Sequence, residues 1–279
     1  MEFWKMHGLG NSFVVINDLE DTVENNIQLS TFAKKICHPG FGIGADGLIL
    51  LKKSLVYDFK MVIYNEDGSE AEMCGNGIRC LSKFVHDNGL NDNDEFLFET
   101  LAGKITTRIK ENNLIEVDMG SPEFLDKGIN VENNSYKKVD DSSPLASVEC
   151  ENRSFNYVSM GNPHAISFVE DFNFDWKADG QKVENSTHLF PARTNVEFIK
   201  IENSSEITMK VWERGCGETL ACGTGACASV VAAVEGNYIN KGEVTVHLLG
   251  GDLKIKYFPG DAVLMTGPAD IICKGILFI

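Results

Sequence analysis

The sequence predicts an α+β fold built as two similar, pseudo-symmetric, duplicated domains, each a mixed sheet wrapped around a central helix, with an active site in the cleft between them. Three observations point there. At 279 residues and 43% hydrophobic, the chain has apolar content for two cores of ordinary size rather than one. Gly10-Asn11 precedes the apolar run Phe13-Val14-Val15-Ile16, and Gly161-Asn162 precedes a second run through Ala165, Ile166, Phe168 and Val169. Finally, Cys74-Gly75-Asn76-Gly77 and Cys222-Gly223-Thr224-Gly225 repeat one phrase, 63 positions after Asn11 and 60 after Asn162. A repeat this long is a duplicated domain and not a solenoid unit.

Strands are expected wherever short runs alternate or stay apolar: 47–51, 59–64, 96–100, 104–109 and 114–119, then 155–159, 195–199, 207–212, 243–248 and 253–257. Residues 78–88 put Ile78, Leu81, Phe84 and Val85 on one helical face, with Gly89 in a C-cap role. Residues 226–235 are apolar almost all round, which predicts a buried central helix ended by Gly236. Strand content is expected to exceed helix slightly. The boundary is expected near Met119-Gly120-Ser121-Pro122, where a polar segment begins that reaches Pro144. This gives an N-terminal domain over 1–118 and a C-terminal domain over 119–267. The Gly267-Pro268 turn suggests that 268–279 return to the first.

With 25 basic against 41 acidic residues the net charge is −16, which disfavours nucleic acid and anionic lipid and favours a small-molecule substrate. No apolar run reaches the roughly 20 residues that span a bilayer, and the first residues lack signal-peptide character, so a cytoplasmic protein is expected. In that setting the eight cysteines are read as reduced thiols.

Cys74 and Cys222 each open a predicted helix. A helix N-terminus offers unpaired N–H groups and the positive end of the macrodipole, which hold a carboxylate and draw a thiol toward thiolate. The neighbouring glycines leave the thiols unscreened and let a ligand approach the backbone closely. Packing suffices for Cys80 and Cys227, and nothing in sequence singles out Cys37, Cys150 or Cys273. Cys216, between glycines, is expected to be partly exposed. A zinc site is disfavoured because no Cys-x2-Cys spacing occurs. His164 and Glu213 are candidate polar partners for a thiol, and Asn11, Asn65, Asn162 and Asn195 are candidate ligands for ammonium and carboxylate groups. Two thiols facing one carbon can remove a proton from one side and return another from the opposite side, which is the chemistry of a two-base racemase or epimerase. In a near-attack arrangement the sulfurs would lie on the order of 7 Å apart.

At this level of detail the chain resembles the diaminopimelate epimerases, which work without pyridoxal phosphate. The resemblance is carried by residues 6–11 (MHGLGN), 44–47 (GADG), 64–69 (YNEDGS), 73–80 (MCGNGIRC), 161–164 (GNPH), 193–197 (RTNVE) and 213–225 (ERGCGETLACGTG). It implies that Cys74 and Cys222 are the catalytic acid/base thiols, supported by His164 and Glu213. It implies substrate binding by Asn11, Asn65, Gly75, Asn76, Asn162, Asn195, Glu213, Arg214, Gly223 and Thr224. It further implies interconversion of LL- and meso-2,6-diaminoheptanedioate, serving lysine and peptidoglycan synthesis, with no metal and no cofactor, in what is often a homodimer. Two positions depart from the pattern: some members carry glutamine in place of Gly47, and many carry alanine in place of Cys216. The alternatives are a cofactor-independent racemase of the proline or hydroxyproline type, a thiol redox protein, and a non-catalytic binding module. The second carboxylate and ammonium of diaminopimelate favour the first reading, because Asn65, Asn162, Asn195 and Arg214 supply matching contacts.

Overall fold

The computed structural model describes residues 1–23, 27–124, 136–138 and 143–278. It divides into two units, Met1–Asp118 with Thr266–Ile279, and Met119–Met265. Most of the polar segment preceding Pro144 lies outside the described residues.

The first unit runs β1 (Glu2–Gly8), β2 (Asn11–Asn17), α1 (Leu29–Cys37), β3 (Gly47–Lys52), β4 (Phe59–Asn65), β5 (Glu70–Ala71), α2 (Gly75–Asp87), β6 (Glu95–Thr100), β7 (Gly103–Ile109) and β8 (Ile115–Asp118). β1 pairs antiparallel with β2, β2 parallel with β3, β3 antiparallel with β4, β4 parallel with β6, and β6 to β8 follow as a meander. α2 touches strands near both ends of this order, β1 and β2 on one side and β7 and β8 on the other, so the sheet curls around it. α1 packs outside, against β3 and β4. Apolar groups thus cover both faces of β3, which explains why Gly47–Lys52 is buried at every position and reads as a continuous run.

The second unit repeats the plan with β9 (Tyr136–Lys138), β10 (Ala146–Cys150), β11 (Arg153–Ser159), β12 (Pro163–Phe168), α3 (Trp176–Glu184), β13 (Asn195–Asn203), β14 (Glu206–Glu213), β15 (Gly217–Glu218), α4 (Gly223–Glu235), β16 (Gly242–Leu248) and β17 (Gly251–Tyr257). The antiparallel, parallel, antiparallel, parallel order from β11 through β16 matches that from β1 through β6. α4 touches β11 through β14, β16 and β17, and its Ala/Val-rich surface is buried on nearly all sides, as expected of a helix enclosed by a sheet. α3 packs outside on β13 and β14, its N-terminus capped by Asp175, which accepts from Ala178 N at 3.1 Å. The chain then continues through β18 (Leu264–Gly267) into β19 (Asp270–Ile276), which pairs antiparallel with β1.

Several expectations need correction. Strand exceeds helix by a wide margin, because β1, β2, β5, β9, β10, β12, β15, β18 and β19 were not among the expected strands, although the apolar runs of β2 and β12 had been noted. β19 shows no clean alternation and is mostly exposed, so it carries no period-2 signal. Helices α1 and α3 also escaped the reading. Both central helices begin at Gly75 and Gly223, three residues before the apolar stretches at 78 and 226, so that Cys74 and Cys222 are their N-cap residues, as expected of cysteines that open a helix. Gly236 ends α4 with φ −83°, and Asn237 takes the left-handed conformation. Glycine is needed at 236 for space, since a Cβ would meet the Tyr238 ring at 2.7 Å. Among the described residues no helix is long and apolar enough to cross a membrane.

Candidate active site

In the first unit, the β1–β2 turn and the head of α2 bring four of the expected residues together. Cys74, in extended conformation at the N-cap, donates from Sγ to Asn11 Oδ1 at 3.6 Å, and Asn76 Nδ2 donates to the same oxygen at 3.3 Å. Asn11 is held in turn by Asp46, whose Oδ2 accepts from Asn11 Nδ2 at 3.2 Å and from Ser12 N at 2.6 Å. Arg79 lies fully buried one turn into α2, donating from Nη2 to Asn76 Oδ1 at 2.9 Å and from Nε to Pro268 O at 3.1 Å. Gly8 leaves room for that guanidinium, because a Cβ there would stand 2.8 Å from Arg79 Nη2. Asn65 sits apart, exposed at the end of β4, where its Nδ2 donates to Ser69 Oγ at 3.0 Å.

In the second unit, β12, β13, β14 and the head of α4 gather Asn162, His164, Asn195, Glu213, Arg214, Cys222, Gly223 and Thr224. Gly225 N donates to Cys222 Sγ at 3.4 Å, and the Thr224 hydroxyl lies 3.6 Å from that sulfur. Asn162 Nδ2 donates to Thr224 Oγ1 at 3.2 Å, the counterpart of the Asn11–Asn76 contact. Both ends of the Asn195 side chain are engaged within the unit, Nδ2 donating to Pro163 O and Oδ1 accepting from Arg214 N, each at 2.9 Å. Asn195 therefore fixes the backbone that presents Arg214. Glu213 accepts a short hydrogen bond from Thr219 Oγ1 and contacts the Cys222 thiol.

The electrostatics differ from the simplest reading of a helix N-terminus. The Cys222 thiol is pushed well up, first by burial and then by the nearby Glu213 and Glu197 carboxylates; the Thr224 hydroxyl and the Gly225 N–H pull the other way and are outweighed. Glu213 is itself raised, chiefly by burial. Burial also pushes Cys37 and Cys80 up to about 12, so these are packing thiols. Cys216 and Cys273 are exposed.

Three carboxylates were not singled out from sequence as site residues: Asp46 behind Asn11, Glu197 behind His164, and Glu184 behind the Arg214 segment. Asp46 and Glu197 stand inside short blocks that drew attention for other reasons. Glu184 has no local signal, because its partners lie 9, 28 and 31 residues away.

A family model described as diaminopimelate epimerase matches residues 3–125 and 156–272. A diaminopimelate epimerase from Halothermothrix orenii is 47% identical over 286 aligned positions, covering 100% of this chain and 98% of its own. One from Acetivibrio thermocellus is 46% identical, with 99% and 98% covered, and one from Methanococcus maripaludis is 44% identical, with 99% of each chain covered. Among solved structures, the Bacillus anthracis phenazine biosynthesis protein of the PhzF family superposes with a TM-score of 0.68 at 17% identity, covering 100% of this chain and 99% of the other. A hydroxyproline epimerase from Agrobacterium vitis gives 0.64 at 14%, covering 99% and 91%. At these identities the structural matches speak to the fold, whereas the matches to the epimerases extend over the whole chain and include both cysteine segments. The chain belongs to the diaminopimelate epimerase family.

Proposed function

We propose that the protein is an isomerase interconverting LL- and meso-2,6-diaminoheptanedioate by proton transfer between two thiols, Cys74 and Cys222. The observation that carries this reading is the full-length family match, together with the capping of a 13-residue helix by each cysteine. One cysteine, as thiolate, removes the α-proton and the other, as thiol, delivers a proton to the opposite face, so the stereocentre inverts and the two sulfurs exchange protonation states. The mechanism requires both thiols to reach one α-carbon.

An α-proton of an amino acid is weakly acidic, so charge developing on the α-carboxylate must be stabilised. The first-turn N–H groups of a helix have no carbonyl of their own helix to bond, so those that follow Cys74 and Cys222 suit that task, with Gly225 N turned toward Cys222 Sγ. Gly75 and Gly223 stand at the first helical position, where a side chain would crowd a carboxylate lying on the N–H groups. Asn11, Asn65, Asn76, Asn162, Arg214 and Thr224 bind the substrate's charged groups, Asn195 acts with them by holding Arg214, and Glu213 and His164 steady the second thiol. The same reading carries no metal or cofactor, a cytoplasmic location, a role in lysine and peptidoglycan precursor synthesis, and a homodimer whose size sedimentation would read.

Proton NMR of the purified protein with LL-diaminopimelate in D2O tests the proposal. Loss of the α-proton signal with wild type, slowed in both Cys74→Ser and Cys222→Ser, supports two-thiol epimerisation. Exchange of proline or hydroxyproline in place of diaminopimelate would favour the other racemase type. Near-normal exchange in both variants would remove the two-base mechanism.

A further inference from the structure

The cysteine-capped helices α2 and α4 have 13 residues each, so Arg79 of the first unit stands where the second has Cys227, five residues past the cap in both. The strand registers extend the equivalence. Phe13 pairs with Gly47 and His164 with Asn195, which sets Asp46 in the place of Thr194. Met6 pairs with Phe13 and Val158 with His164, which sets Gly8 in the place of Met160. The exchange is complementary in size. The first unit has the large Arg79 with Gly8, where a Cβ would stand 2.8 Å from Arg79 Nη2, and the second has the small Cys227 with Met160. Arg79 is fully buried, and taking a guanidinium out of water is costly. The second unit builds the same helix and strands with a thiol at that place, so the architecture does not require the cation.

Arg79 donates from Nε to Pro268 O at 3.1 Å, from Nη1 to Gly75 O at 3.3 Å and from Nη2 to Asn76 Oδ1 at 2.9 Å. From Asn76 a chain of side chains runs on. Asn76 Nδ2 donates to Asn11 Oδ1 at 3.3 Å, and Asn11 Nδ2 donates to Asp46 Oδ2 at 3.2 Å. A guanidinium can only donate, and Asp46 Oδ2 is an acceptor, since it also takes the Ser12 backbone N–H at 2.6 Å. The two charged ends therefore settle which way both amides face. Turning over Asn76 or Asn11 alone would oppose two donors at one of its contacts and two acceptors at the other. Turning over both would oppose like groups at each charged end. Asn11 Oδ1 is thus held toward Cys74, whose Sγ donates to it at 3.6 Å. In the second unit, with neither charged end, the Cys222 sulfur accepts instead, from Gly225 N at 3.4 Å.

We propose that Arg79 and Asp46 are positioning residues for Cys74, fixing the two ends of a one-way hydrogen-bond chain that keeps the Asn11 oxygen, and not its amide nitrogen, against the Cys74 sulfur. The Cys74 S–H is thereby aimed at a fixed acceptor, and the Nδ2 groups of both amides are committed elsewhere. Both charged residues act through the asparagines. This rests on the two-thiol reading above for its catalytic meaning, but not for the geometry of the chain.

The test is alkylation of the ligand-free protein by iodoacetamide, followed at each cysteine by peptide mass spectrometry. An oxygen acceptor bonds the S–H and not the thiolate, so an Asn11 free to turn its N–H to the sulfur should quicken the reaction of Cys74. Asp46→Ala, at the exposed end of the chain, is expected to raise the Cys74 rate about threefold or more. Asp46→Asn removes the same charge but keeps an oxygen for Asn11 Nδ2, and is expected to stay near wild type. Arg79→Met opens the buried end; loss of a nearby cation would by itself slow Cys74, whereas release of the amides quickens it. Arg79→Lys keeps a donor-only cation for Asn76 Oδ1 and should retain the wild-type rate. Cys37 and Cys80 should stay unreactive throughout, since a merely loosened fold would expose them as well. An unchanged Cys74 in Asp46→Ala, an equal gain in Asp46→Asn, a slower Cys74 in Arg79→Met, or Cys37 and Cys80 reacting in step with Cys74 would overturn the proposal. The Asp46 pair decides the matter even if Arg79→Met fails to fold. Exchange on diaminopimelate should slow in the two variants whose Cys74 quickens. The labelling pattern stands even if the protein proved inactive on diaminopimelate, so the two proposals fail separately.

Discussion

Glu184, the last residue of α3, accepts a hydrogen bond from the backbone N–H of Gly215 at 2.7 Å, and so ties the outer helix of the second unit to the turn that follows Glu213 and Arg214. Its other oxygen, Oε2, accepts from Trp212 Nε1 at 2.8 Å, and Arg193 Nη2 donates to the same Oε1 as Gly215, at 2.5 Å. The Glu184 side chain is 4% exposed, whereas that of Arg193 is 42% exposed, so the ion pair itself adds little and the two N–H contacts carry the effect. Removing the carboxylate leaves the indole and the Gly215 amide without their acceptor. Glu184→Ala is expected to lower stability by about 2–4 kcal/mol and to raise KM through a loosened Arg214 segment. Urea denaturation and initial-rate kinetics read both effects; unchanged values in each would refute the tie.

Cysteine labelling separates the roles of the thiols. Cys216 and Cys273 are exposed and should react first with iodoacetamide, while Cys37 and Cys80, pushed up to about 12 by burial, should react only after denaturation. Cys222 is held as a thiol by burial and by the Glu213 and Glu197 charges. Glu213→Gln removes one of those charges, so Cys222 alkylation at pH 8 should accelerate several-fold with Cys216 and Cys273 unaffected. Peptide mass spectrometry follows each site, and a slower Cys222 in the variant would contradict the assignment.

The same glutamate predicts a dependence of stability on pH. Burial raises Glu213 above its ordinary value, with Thr219 and Cys222 opposing less strongly. A group raised in the folded state contributes stability that is fully present below its unfolded value, about 4.3, and is lost as pH rises through the folded value. Wild type should therefore melt below Glu213→Gln at pH 8, and the gap should close by pH 4. Calorimetric scans across that range check the sign, since a gap that widened on acidification would mean that the carboxylate is stabilised in the fold.

The duplication supplies its own control for the buried His164–Glu197 pair. Phe13 and Ile49 hold the equivalent places of the first unit, because the registers across β2, β3 and β4 match those across β12, β13 and β14. The double variant His164→Phe with Glu197→Ile installs them, and replacing a buried polar pair by well-packed apolar residues is often neutral or stabilising. It should fold, match or exceed wild type in urea, and lose epimerisation. Glu197→Ile alone leaves a buried histidine without its partner and should cost about 3–5 kcal/mol. Equal stability of the single and double variants would show that the two side chains do not act as a pair.

Much of this was legible in the chain. The two Cys-Gly-x-Gly phrases, the Gly-Asn phrases ahead of them and the near-equal spacings reported the duplication, because each phrase marks a turn or helix start that must sit at the same point of a repeated sheet. β3 and α4 were legible as uninterrupted apolar runs, since each is enclosed on all sides. α1 carries a helical spacing in Leu29, Phe32, Ala33 and Ile36 that the reading passed over, whereas α3 buries only Trp176, Gly180, Val183 and Glu184 and β19 is mostly exposed, so neither of these shows a clear period.

At the candidate site, sequence alone determined which two cysteines cap the central helices and which polar residues stand in the phrases around them, because short local phrases place an N-cap and its first-turn N–H groups within a few residues. Only the tertiary structure decided that Asp46, Glu184 and Glu197 stand behind those residues, that Asn195 holds Arg214, and that burial with two carboxylates overrides the helix terminus at Cys222. These contacts join residues from separate strands and helices, and their strength depends on the water that folding excludes, which no local pattern records.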